Sequence, residues 1–117
     1  MPRHIESNIQ RQCVMWFRLQ YPRYAQLLVA NANGGKRSPV EAAIMKAEGV
    51  TAGVADLTLY MPNNTHHALL IEMKANKGRQ SEHQRQWQEV VTAQGYRYEV
   101  CRSIEDFQDL IRDYLKN

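Results

Sequence analysis

Cysteine is nearly absent from this 117-residue sequence: Cys13 and Cys101 are the only two. Two thiols so far apart in sequence supply neither a secreted disulfide framework nor a zinc site, and a reducing cytoplasm is the default compartment for such a chain. Long apolar runs are missing as well. No stretch at the N-terminus reads as a signal peptide, and nothing approaches the ~18 apolar residues of a membrane helix, so no membrane partner is expected. No linker-like segment divides the chain, and at this length a single domain over 1–117 is expected, large enough to bury roughly two thirds of its unfolded surface.

What is present is ordinary for a soluble globular protein, with 44% hydrophobic and 23% charged residues. The net charge of +3 is unevenly spread. Residues 1 to 98 carry twelve basic and seven acidic side chains, whereas residues 99 to 117 carry three and five. The larger, basic part would face a polyanion, and the last helix would not.

The most informative stretch runs from Gly53 to Lys74, GVADLTLYMPNNTHHALLIEMK. Leu57, Leu59 and Tyr60 read as one strand and Ala68 to Met73 as the next, with Met61-Pro62-Asn63-Asn64-Thr65 as the turn between them. Side chains alternate, so Glu72 and Lys74 share one face while Ile71 and Met73 take the other. Antiparallel pairing with the ends aligned sets Asp56 across from Glu72, at a Cβ separation of about 4.5 to 5.5 Å. Two carboxylates that close repel unless a positive charge sits between them. A hard divalent cation, Mg²⁺ or Mn²⁺, prefers such oxygen ligands, and Lys74 is then placed to orient a nucleophile. The plainer reading is a solvated acidic and basic cluster on an edge strand, which the apolar Leu69, Leu70 and Ile71 before Glu72 argue against.

Gly53-Val54-Ala55-Asp56-Leu57, then Glu72-Met73-Lys74, then Ser81-x-x-Gln84 and a Gly95 closing the next helix together resemble the VRR-NUC (virus-type replication-repair nuclease) family of the PD-(D/E)XK nucleases. The resemblance covers Glu6 to about Ser103. Ala55 stands where the family often has Pro, and Met73 is an apolar choice for the middle of the ExK motif. The resemblance implies that Asp56, Glu72 and the Met73 carbonyl bind Mg²⁺ or Mn²⁺, that Glu6 completes the acidic site, and that Lys74 and Gln84 handle the attacking water. It also implies a DNA partner, in a bacterial or phage-infected cell.

Along the rest of the chain, Ile5, Ile9, Cys13, Trp16 and Phe17 form the stripe of an amphipathic helix that Tyr21-Pro22 stops. Glu6, in its first turn, is also favourably placed at the positive end of the helix dipole. Gln26 to Ala30 reads as a short strand. The loop after it carries Lys36 and Arg37, and the loop after Lys74 carries Lys77 and Arg79, four cations suited to phosphate. Two capping boxes start helices, Ser38 with Glu41 and Ser81 with Gln84, so Gln84 has a structural task beside its implied one. Trp87, Val90 and Val91 are expected as a core stripe, with Trp87 packing rather than stacking on bases. Tyr96, Tyr98 and Val100 alternate with Arg97, Glu99 and Cys101 as the last strand, and Ser103 caps a final acidic helix. His66-His67 lacks a third ligand nearby in sequence for a transition-metal site.

The expected fold is α/β, in the order α-β-α-β-β-α-β-α of a PD-(D/E)XK core, with a mixed sheet flanked by helices. The expected function is a Mg²⁺- or Mn²⁺-dependent deoxyribonuclease, selective for branched DNA such as four-way (Holliday) junctions and acting as a homodimer, as the resemblance implies for short stand-alone members. The alternatives are a nuclease of flaps or duplex and a binding module that keeps the fold without cutting.

Overall fold

A computed structural model describes residues 2–31 and 38–117, with side chains from residue 5 onward in the first helix. Helix α1 spans Pro2–Gln20, and a 3₁₀ turn over Pro22–Leu27 leads into strand β1, Leu28–Ala30. Helix α2 (Pro39–Ala47), strands β2 (Leu57–Leu59) and β3 (Leu69–Met73), helix α3 (Glu82–Ala93), strand β4 (Arg97–Cys101) and helix α4 (Ile104–Lys116) follow. The expected order holds. The expected strand over 26–30 begins later, because Pro22 favours a tight helical turn at that point and only Leu28 to Ala30 pair with β2.

The strands lie in chain order, β1-β2-β3-β4. The first two pairings are antiparallel and β3 pairs parallel to β4, so α3 is the crossover between them. All five residues of β3 are buried, the sign of a strand covered on both faces. On one face Leu57, Leu59, Leu69 and Ile71 pack with Cys13 and Phe17 of α1 and with Phe107, Ile111 and Tyr114 of α4. On the other, Ala55, Leu70 and Tyr98 pack under Trp87 and Val91 of α3. Val90 departs from the expected core stripe. It is 62% exposed, since of its large apolar side chains α3 turns only Trp87 and Val91 toward the sheet. Ile5 likewise sits 43% exposed beyond the buried part of the α1 stripe.

Both capping boxes form, Ser38 with Glu41 and Ser81 with Gln84, and Ser103 accepts from the Asp106 amide. No described residue of α2 is buried, so Val40, Ile44 and Met45, exposed or half-exposed, meet little of the chain. Among the described residues no helix is long and apolar enough to cross a membrane. Cys13 and Cys101 are both buried free thiols, and burial pushes each up to about 12.

Candidate active site

The register Leu57↔Ile71, continued by one residue, sets Asp56 opposite Glu72. Asp56 precedes β2, where its backbone carbonyl accepts from the Asn31 amide at 2.8 Å and its Oδ2 accepts from the Met73 amide at 2.7 Å. That bond fixes the carboxylate against the end of β3. Glu72, the next residue back along β3, is 2% exposed. Its Oε2 accepts from Gln84 Nε2 at 2.9 Å, and Tyr98 donates its hydroxyl to Oε1 at 3.4 Å.

Burial, and after it the Asp56 carboxylate, push Glu72 up to about 8, with Lys74 pulling the other way. The register sets the two carboxyl groups on one face of the sheet, where a proton on Glu72 relieves their repulsion. A divalent cation has the same charge logic and the right ligands, two carboxylates and the Met73 carbonyl that follows Glu72. The donor set fits such an ion.

Glu6 reaches the edge of this site from α1, its Oε2 accepting from the Ala75 amide at 3.3 Å. It does not join the other two in a tight cluster, and among the described residues no three His, Cys, Asp or Glu side chains gather as a ready metal cage. Lys74 is half-buried on the Glu72 face. Gly78 packs between the two: a Cβ there would lie 3.7 Å from Glu6 Oε2 and 3.6 Å from the Lys74 stem.

Gly53 explains the start of the GVAD motif. Its φ is +87°, and a Cβ there would overlap the His83 carbonyl at the first turn of α3. The segment carrying Asp56 therefore passes against the helix start that carries Gln84. Gln84 Oε1 accepts from the Ser81 amide at 2.8 Å while Nε2 reaches Glu72, so one amide serves both the cap and the acidic pair.

Lys77 and Arg79 are exposed on the loop after β3, beside the site. Lys36 and Arg37 lie outside the described residues. Three residues that sequence reasoning gave no part in the site support it. Tyr98, held above its usual pKa mainly by burial, bonds Glu72 and accepts from Gln80 Nε2 at 3.2 Å. Gln80 also donates to Gln88 Oε1 at 2.9 Å. Arg102 Nη1 donates to the Asn76 and Gly78 carbonyls at 2.8 and 2.7 Å, pinning the basic loop. The signal for Tyr98 was its inward place in β4, since a buried phenol needs a partner for its O–H. His66 bonds Thr65 and His67 packs on Tyr96, away from the carboxylates.

A mixed four-stranded sheet between helices, with opposed acidic residues at the ends of β2 and β3, defines an α/β protein of the PD-(D/E)XK type. The VRR-NUC domain model matches residues 4–105, and the chain belongs to that family, one of nuclease type. A solved structure described as a VRR_NUC domain protein is similar with a TM-score of 0.80 and 26% identity, over 95% of this chain and 88% of that one. No curated protein matches the chain.

Proposed function

We propose that this chain is a single-domain, metal-dependent deoxyribonuclease that hydrolyses phosphodiester bonds with the site built on Asp56, Glu72, Lys74 and Gln84. One observation carries the reading: Glu72, only 2% exposed, lies opposite Asp56 in the register that pairs β2 with β3. A fold stabilised by packing alone has no use for that pair, because burying like charges opposes folding.

Asp56, Glu72 and the Met73 carbonyl would hold Mg²⁺ or Mn²⁺, with Glu6 assisting at the edge. The ion, when bound, lowers the pKa of water and neutralises charge on the phosphate. The Met73 amide orients Asp56, and Gln84 and Tyr98 orient Glu72, so both carboxylates are held in place for the ion. Lys74, on the same face as Glu72, positions the attacking water in line with the phosphorus. Lys77 and Arg79, exposed beside the site, would hold phosphate, a part assigned from the sequence to Lys36 and Arg37 as well.

Branched DNA is the substrate we favour, cut by a homodimer. An isologous pair presents two sites to the two matching phosphates of a four-way junction without any added recognition domain. Support for self-association comes from apolar side chains left outside: Met15 at 63% and Leu19 at 78% on α1, Val40 at 69% and Ile44 at 52% on α2. The inner α1 stripe and the apolar face of α4 are used up against each other and the sheet. A panel of labelled duplex, flap, splayed-arm and four-way substrates with Mg²⁺, Mn²⁺ or EDTA tests the whole reading. Metal-dependent cutting of the junction in opposed strands, by a dimer in sedimentation, is expected. Binding without cutting under every metal would leave the non-cleaving module in its place.

A further inference from the structure

The face of the sheet that carries Glu72 is only partly covered by α3, and the gap beside the helix is an open cavity of about 510 Å³. Four rings line it: Tyr60, His67, Trp87 and Tyr96. Thr58 and Asn31 supply polar groups, and among the described residues no Asp, Glu, Lys or Arg contributes to its walls. A phosphate or a cation would find no counter-charge there, whereas a flat neutral aromatic with hydrogen-bonding edges would match every wall.

The cavity lies on the same face of the sheet as the candidate active site. Leu70 lies in its lining, and Glu72 is two residues on along β3 with its side chain on the same face, about 6.6 Å away by strand geometry. Trp87 packs edge-on against Tyr98 at 6.2 Å, the residue whose hydroxyl bonds Glu72. Asn31 donates to the Ala55 carbonyl at 2.9 Å and to Thr58 Oγ1 at 3.1 Å, so its wall is tied to the segment that ends in Asp56. Thr58, accepting that bond, keeps its own O–H to donate. Both amide protons of Asn31 are used, so any part it takes in reading a ligand falls to its Oδ1.

We propose that this cavity takes one unpaired base of the strand being cut, stacked among Tyr60, Trp87 and Tyr96 and read at its edge by Thr58 and Asn31. The inference rests on the nuclease reading above and adds what the site selects. A base inside a duplex cannot enter a side pocket of this kind, so a strand with a frayed or splayed nucleotide next to the cut phosphate is preferred. Trp87 thus serves both the α3 packing and the stacking surface. Stacking on aromatic side chains is sequence-tolerant, and the polar edge adds only a modest preference.

The test is an oligonucleotide series with a single abasic nucleotide at each position around the cut phosphate. Binding is read by fluorescence anisotropy in EDTA, and cleavage separately with Mg²⁺ or Mn²⁺. One abasic position is expected to weaken binding roughly tenfold while its neighbours change little. Tyr60→Ala, which removes a ring that is 56% exposed, is expected to bind the intact strand as weakly as wild type binds that abasic one, with an unchanged melting temperature. Thr58→Val, which keeps the volume, reports on the polar edge. Equal losses at every abasic position, or the same positional dip in Tyr60→Ala, would overturn the proposal while leaving the nuclease reading intact. A Tyr60→Ala change that alters sedimentation instead of the abasic pattern would assign the cavity to a second copy of the chain, which also overturns it. Failure to bind or cut any nucleic acid would sink the nuclease reading itself, and the base pocket with it.

Discussion

Gln84 Nε2 lies 2.9 Å from Glu72 Oε2 while the same side chain's Oε1 accepts the Ser81 amide at 2.8 Å. Its two ends do separable work, and substitution separates them. Gln84→Glu keeps a capping box, since Glu fills that position equally well, but sets a third carboxyl group against Glu72. Thermal stability within about 1 kcal/mol of wild type and cleavage reduced at least tenfold are expected. Gln84→Ala is expected to lower both. If Gln84→Glu cuts like wild type in a fixed-metal assay, the contact with Glu72 has no functional weight.

Removing charge from the acidic pair should uncouple activity from stability. Asp56→Asn, Glu72→Gln and Lys74→Ala are each expected to abolish cleavage and to unfold cooperatively. The metal-free Glu72→Gln protein should be at least as stable as wild type, because a buried carboxyl facing another is relieved. Urea titration with a cleavage assay checks both halves, and undiminished cutting by any two variants would refute the assignment of these residues.

The pH dependence of stability follows from the same pair. Glu72 is raised from its ordinary 4.5 to about 8 by burial and by Asp56, so between those values the folded protein holds a proton that the unfolded chain has released. Its contribution is fully present below about pH 4.5 and is lost as pH rises through about 8. Metal-free wild type should therefore lose stability relative to Glu72→Gln across this window, by at most about 1.4 kcal/mol per pH unit. Denaturant melts in EDTA from pH 5 to 9 measure the difference. Parallel curves for the two proteins would show that Glu72 is ionised throughout.

Phosphate binding is assigned to the loop that Arg102 pins. Lys77→Ala with Arg79→Ala should weaken DNA binding and flatten the plot of log K against log salt by about 0.9 for each B-DNA phosphate that is no longer neutralised. Arg102→Ala leaves both cations in place but frees the Asn76 and Gly78 carbonyls. It is expected to weaken binding with a nearly unchanged salt slope, and anisotropy titrations at several salt concentrations distinguish the two.

The element order and the facing of Asp56 and Glu72 were legible in the sequence because both depend on short-range rules. Alternation in Leu69 to Met73 and the two capping boxes act within a few residues and formed as read, whereas the strand expected to include Tyr60 ends at Leu59 and the connection runs on through Ala68 to Leu69. Tyr98 and Arg102 act across 26 and 24 residues, and only the parallel pairing of β4 with β3 brings them to Glu72 and Gly78. Val90 was misplaced because a helix that covers only part of a sheet buries a narrower stripe than periodicity implies. The cavity beside Trp87 is a property of that same partial cover. No local pattern encodes it.

Along the chain, the links that join the acidic pair to its surroundings are of very unequal span. Gln84 to Glu72 closes a loop of 12 residues and Asp56 to Met73 one of 17, whereas Glu6 to Ala75 closes one of 69. By loop-closure entropy the last costs about 1.2 kcal/mol more than the Asp56 link, and it rests on a single long hydrogen bond. Asp56, Glu72 and Gln84 are therefore expected to come together early, as the β2-β3 hairpin and α3 condense, with the first turns of α1 docking late. In amide exchange α1's first turns should open on their own, with the hairpin still closed around its two acids.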